Sequence, residues 1–249
     1  MDILKKLFKS DGLKVAPVNK KIHISEDSKY KILKFNDVVQ SRISKVSSFG
    51  GDYWDIFPPL VLAFEKPKVL MIGLGGGTII NGIRNLVGND VFLDVVEINK
   101  EVINLYKEFF KCDSLTHIYN NDGFEHLKYK KSYYDVVILD AYDIDKIPEK
   151  FLSDEFINIS EIAIKKNGIL AINCIDSMRL DGGIKSYIEK LKKKFFVFSI
   201  APGFITANSI LLCSKDKDFK NKIENIKKKL YSKKEYRFLV TAYSDIINE

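Results

Sequence analysis

Four glycines, Gly73, Gly75, Gly76 and Gly77, stand in the stretch VLMIGLGGGTII, between an apolar run and a helix-like start. Glycine surrenders more backbone freedom on folding than any other residue, so this density needs a reason. A glycine turn that opens a helix offers free N–H groups and the positive end of the helix dipole to an anionic group. Acids follow at comparable places. Glu97 closes the run VFLDVVE, Asp122-Gly123 comes just after THIYN, and Asp140 closes YDVVILD with Asp143 three residues on. A carboxylate at Glu97 suits both hydroxyls of a ribose, Asp122 suits an adenine amino group, and Gly123 would admit the ring. Taken singly, each has an ordinary structural explanation, such as a tight packing turn, a helix cap or a surface acid. Their repetition after four successive apolar runs points to a nucleotide.

The runs themselves read as buried strands: 69–73, 91–97, 116–120, 134–140 and 168–174, with helical patterns between most of them, notably 99–111 and 153–166. Two later strands, 195–200 and 209–214, are joined by the short link APGFITAN, which permits only an antiparallel pair because parallel neighbours need a long crossover. This is an α/β, doubly wound, mostly parallel seven-stranded sheet with an antiparallel last strand, the class I methyltransferase layout. In such sheets ligands bind beyond the carboxyl ends of the strands, where the glycines and acids lie. Ahead of it, residues 20–43 alternate apolar and polar positions around an Asn-Asp turn and predict a small antiparallel sheet. Residues 53–65 predict a short helix entered through aromatics and Pro58-Pro59. The expected organisation is an N-terminal segment, 1–50, and a nucleotide-binding transferase domain, 51–249.

The dinucleotide fingerprint G-x-G-x-x-G fails here, since Thr78 takes the sixth position and the third glycine comes early at Gly77. The pattern fits S-adenosylmethionine or a derivative better, with the glycine turn beside its amino-acid end. Three scattered cysteines (Cys112, Cys174, Cys213) and three histidines (His23, His117, His126) show no metal-ligand spacing, so no metal is expected. No apolar run approaches membrane-spanning length and the start lacks a signal peptide's pattern, which predicts a cytoplasmic protein without membrane attachment. The net charge of +7 gathers in lysine-rich stretches, most of all 215–237. Interspersed acids and the lack of an Arg-aromatic platform favour a solvated helix face over nucleic-acid binding.

The blocks YKILKFNDVVQSRI, GLGGGT, VVEINKEV, NDGFEHL, YDVVILDAYD, IPEKFLSDEFI and NGILAIN, in that order from Tyr30 to Ser214, resemble the spermidine synthase-like family of polyamine aminopropyltransferases and their relatives. The resemblance implies that Glu97 binds ribose, Asp122-Gly123 contacts adenine, Asp140 accepts a proton from the attacking amine and Asp143 holds the amine. It also implies an amine acceptor, small molecule or protein, and the dimers or tetramers common among such relatives. Tyr53, Trp54 and Tyr142 are placed to wall the pocket. The family's polyamine members carry an acid inside the glycine loop, in the pattern GGGDGG, where this sequence has Gly76. They also carry a channel tyrosine in a late PTYP-like motif that here reads SIAPGF. Both departures lie on the aminopropyl side, so the sequence favours methyl transfer from S-adenosylmethionine to an amine. Aminopropyl transfer from decarboxylated S-adenosylmethionine is the alternative. A nucleotide- or RNA-binding module without turnover is the third.

Overall fold

The computed structural model describes residues 16–17, 22–36, 38–110, 114–142, 146–175, 183–200 and 208–249. A small antiparallel sheet comes first: β1 (Ala16–Pro17), β2 (Ile22–Glu26), β3 (Tyr30–Phe35) and β4 (Val38–Ser44), in that order. Asn36, in the expected turn, adopts a positive φ of 53°, which asparagine tolerates better than most residues. The polypeptide then runs through two short 3-10 helices, Tyr53–Ile56 and Pro58–Ala63, where one short helix was expected. The adjacent prolines Pro58 and Pro59 explain the break: neither has an N–H to donate, and the second also restricts the first.

The main sheet has β5 (Lys68–Ile72), β6 (Phe92–Glu97), β7 (Thr116–Asn120), β8 (Tyr134–Leu139), β9 (Ile164–Ile175), β10 (Phe196–Ile200), β11 (Asn208–Ser214) and β12 (Ile247–Asn248). Their order is β12-β10-β11-β9-β8-β5-β6-β7. Strands β7, β6, β5, β8 and β9 pair in parallel, and β11 runs antiparallel between β9 and β10. This is the expected seven-stranded layout plus a two-residue edge strand from the C-terminal tail, β12 against β10. Helices α1 (Thr78–Val87), α2 (Lys100–Phe109), α3 (Gly123–Lys128), α4 (Asp154–Ala163) and α5 (Gly183–Lys192) connect the strands, and α6 (Phe219–Ser232) and α7 (Phe238–Ser244) follow β11. Helix α4 ends earlier than the sequence suggested, and β9 begins at once at Ile164.

Burial on both faces explains the unbroken apolar strands. Along β5, Val69 and Met71 enter one hydrophobic cluster while Leu70 and Ile72 enter the other. Helix α6 buries Phe219, Ile223, Ile226 and Leu230 at helical spacing, and among its lysines Lys222 pairs with Asp216 and Lys227 with Glu224. Cys174 and Cys213 are buried and form no disulfide, while Cys112 lies outside the described residues. Among the described residues no helix is long and apolar enough to cross a membrane.

The chain order reverses between β5 and β8, and the two strand ends meet closely there. Asp140 N donates to Ile72 O at 2.9 Å, and a Cβ on Gly73 would lie 2.2 Å from Asp140 O. Gly73 also has φ near +100°, so both sterics and dihedral demand glycine. Gly75, at φ +52°, has more room, with Ser41 Oγ 3.3 Å from a would-be Cβ. Gly73→Ala should therefore lose more than about 2 kcal/mol of stability, and Gly75→Ala nearer ~1 kcal/mol. Urea unfolding of the two variants checks this, and equal costs would contradict it.

Candidate active site

A cavity of about 430 Å³ opens above the carboxyl ends of β5, β6 and β8, within the range of about 300–1,000 Å³ usual for small-molecule sites. Gly73, Gly75, Glu97, Gly123, Asp140, Tyr142, Tyr53 and Trp54 all line it, so most of the sequence-predicted residues come together. Gly76 and Gly77 do not line it. A Cβ on Gly76 would meet Phe110 and Ser41 at 3.0 Å, and one on Gly77 would meet Tyr106 at 2.2 Å. Here the protein's own side chains, rather than an open pocket, occupy the space next to these two glycines. Gly123 is likewise pressed against Ile72, 2.3 Å from a would-be Cβ. Asp143 lies outside the described residues.

Glu97 ends β6 with both oxygens held. Leu74 N donates to Oε2 at 2.9 Å and Asn99 N donates to Oε1 at 2.8 Å. Burial raises its pKa, against the backbone donors that favour the charged form. Each oxygen keeps lone-pair capacity toward the cavity, so the carboxylate is fixed in orientation yet still able to accept.

Asp122, expected to contact adenine, is already engaged by protein groups. Its Oδ1 caps α3 by accepting from Phe124 N at 2.8 Å, and its Oδ2 is ion-paired with Lys150. Burial opposes its ionisation, but Lys150 and the backbone donors outweigh this and hold its pKa below 3.8. An adenine amine would have to share this carboxylate with the lysine. Lys150, which itself lines the cavity, had no distinguishing sequence signal.

Asp140 follows β8. Its Oδ1 accepts from Asn173 Nδ2 at 2.8 Å and from the Tyr53 hydroxyl at 3.3 Å. Among the described residues nothing donates to Oδ2. Burial raises its pKa from 3.8 to about 6, with the two hydrogen bonds opposing. The Tyr53 and Tyr142 hydroxyls are pushed well above their ordinary range by burial first and by Asp140 second, so both stay protonated. Tyr53 is set by the turn before it, where Asp55 accepts from Gly50 N and Gly51 N at 3.0 and 2.8 Å. Trp54 is buried against the cavity, and its Nε1 has no acceptor among the described residues.

The N-terminal sheet closes one wall with Phe35, Gln40 and Ser41, residues that the strand pattern alone did not single out. It is tied to the glycine loop, since Ser41 Oγ and Thr78 Oγ1 are 2.8 Å apart and Arg42 N donates to Thr78 Oγ1. Chemically, the site offers one fixed carboxylate after β6 and one carboxylate of raised pKa after β8, with the β5 glycine turn between them. Among the described residues no group of His, Cys, Asp and Glu side chains could hold a metal ion.

Residues 58–215 match the family described as spermine/spermidine synthase domain. A polyamine aminopropyltransferase of Prochlorococcus marinus is 33% identical over 150 residues, covering 57% of this chain and 52% of that protein. The chain spans about half the length of the curated relatives it matches. In fold it is similar to a probable spermidine synthase from Corynebacterium glutamicum, with a TM-score of 0.72 and 20% identity over 88% of this chain and 86% of that one. It is also similar to human methyltransferase-like protein 13 in complex with SAH, with a TM-score of 0.56 and 18% identity over 70% of this chain and 87% of that one.

The raised pKa of Asp140 has a consequence for folding. A carboxyl whose pKa is higher in the folded state favours folding below its unfolded value of 3.8, and that contribution is lost as pH rises through about 6. Asp140→Asn keeps the carbonyl acceptor for Asn173 and Tyr53 and removes the buried charge. The variant should gain on the order of 2–3 kcal/mol over the unsubstituted protein at pH 8, with the difference shrinking toward pH 4. Urea unfolding across that range checks it, and a pH-independent difference would contradict it.

Proposed function

This chain belongs to the spermine/spermidine synthase domain family, and on that premise we propose that it is a polyamine aminopropyltransferase. The donor is decarboxylated S-adenosylmethionine and the acceptor is a di- or polyamine. The nitrogen lone pair forms a bond to the propyl carbon next to the sulfonium, the C–S bond breaks with its electrons going to sulfur, and methylthioadenosine leaves. Asp140 carries this reading. A carboxylate with one oxygen anchored by Asn173 and Tyr53 and the other left for the cavity suits an amine that must be oriented and relieved of a proton. Its raised pKa narrows the gap to the amine's own.

Glu97, already fixed by two backbone donors, suits the ribose hydroxyls. Methyl transfer, favoured by the sequence, loses support on two counts. The family match and the polyamine aminopropyltransferase relatives favour the alternative, whereas the methyltransferase likeness is one of fold. The absent loop acid also weighs less than the sequence suggested, because Gly76 does not line the cavity and Phe110 and Ser41 take the space beside it.

Titration calorimetry with each donor tests the reading. The decarboxylated form should bind at least ten times more tightly than S-adenosylmethionine, and the reverse order would restore methyl transfer. Glu97→Ala should weaken binding of the preferred donor by roughly ten- to a hundredfold, the loss of charge-assisted hydrogen bonds. Asp140→Asn should lower kcat by about a hundredfold or more with donor affinity unchanged.

A further inference from the structure

Strand β9 carries a polar side chain at Asn173 in the otherwise apolar run GILAINC, and it is almost fully buried. Register explains where it points. Leu139 of β8 lies beside Ile172, so the next residues along the two parallel strands, Asp140 and Asn173, are neighbours. Across the antiparallel pair, Asn173 lies opposite Ile210, and Asn208, two residues before Ile210, shares its face of the sheet. The side chains form a directed chain. Asn208 Nδ2 donates to Asn173 Oδ1 at 2.8 Å, and Asn173 Nδ2 donates to Asp140 Oδ1 at 2.8 Å. Each amide has one acceptor end and one donor end, and an ionised carboxylate only accepts, so the chain has a single polarity. It ends on the charge. The backbone at Asn173 is pinned as well, because the Tyr142 hydroxyl donates to Asn173 O at 2.6 Å.

We propose that Asn173 is a positioning residue for the reaction, held by Asn208, which fixes the Asp140 carboxylate in its ionised form with Oδ2 turned to the cavity. Its part in turnover rests on the aminopropyltransferase reading, but its hold on Asp140 does not. Among the described residues the titratable groups near Asp140 are Tyr53, Tyr142, Cys174, Glu97 and, on the same cavity, Lys150. Tyr53 approaches from the first 3-10 helix and Tyr142 from Asp140's own segment, both kept protonated; Cys174 stands behind Tyr142 on β9, and Glu97 lies beyond β5. Among the described residues, Asn173 and Tyr53 oppose the burial that raises the pKa of Asp140, Asn173 more strongly.

The test is a carbon-13 NMR titration of the full chain labelled at aspartate Cγ, with the Asp140 signal assigned by its loss in Asp140→Asn. In the unsubstituted protein the midpoint should be about 6. Asn173→Ala should raise it by roughly one to two pH units, the worth of one hydrogen bond to a charged group. Asn208→Ala, at a half-buried position, should raise it by less but with the same sign, and it keeps the question open to decision if Asn173→Ala fails to fold. Asn173→Ala should also lower kcat without changing the donor's Kd, and it should move the acidic limb of the rate profile upward in step with the NMR midpoint. An Asp140 midpoint unchanged in either folded variant would overturn the proposal. Absence of turnover with any donor in the unsubstituted protein would instead overturn the functional reading, and the titration would still decide the role of Asn173.

Discussion

The carboxylate of Asp140 sits partly buried on the cavity wall at the point where the strand order reverses, and much of the surrounding structure follows from accommodating it. Burial of an ionisable acid is unfavourable unless donors compensate. Two do so at one oxygen, Asn173 from the neighbouring strand and Tyr53 from the 3-10 turn ahead of the sheet. The peptide of the same residue presses so closely on Gly73 that no side chain fits there. The glycine turn, the aromatic turn before it and the polar pair on β9 and β11 are thus parts of one local solution.

That solution changes how the glycine loop is understood. Its density in the sequence suggests room cleared for a ligand. Gly73 and Gly75 do border the cavity, but Gly73 is required by the backbone of Asp140 and Gly77 by Tyr106, while Gly76 fits tightly against Phe110 and Ser41. Close packing of sheet, helix and N-terminal strands accounts for glycine at these positions before any ligand is considered. The loop then serves the site indirectly, by letting β5 and β8 end side by side and by opening α1 next to the cavity.

Features encoded in local pattern were readable from sequence. Apolar runs such as VLMIG and YDVVILD revealed the parallel sheet because strands buried on both faces need continuous hydrophobicity. The short link before β11 revealed the antiparallel strand, and Glu97 and Asp140, which line the cavity, were singled out because strand ends mark the ligand side. Long-range pairings were not readable. Nothing local distinguishes Lys150 as the partner of Asp122, 28 residues away, or Ser41 as the partner of Thr78. Asn173 did leave a trace, a lone amide inside an apolar strand, since buried polar groups need partners. The 3-10 geometry at 53–63 was missed because consecutive prolines were read as a helix start rather than as a break.

The central claim is that Asp140 serves an amine attacking the propyl carbon of a decarboxylated donor, and product analysis tests it most directly. The purified protein would be incubated with putrescine or spermidine and either decarboxylated S-adenosylmethionine or S-adenosylmethionine, with products read by mass spectrometry. The account predicts an aminopropylated amine together with methylthioadenosine from the first donor, and no methylated amine from the second. A methylated amine formed only with S-adenosylmethionine would contradict it.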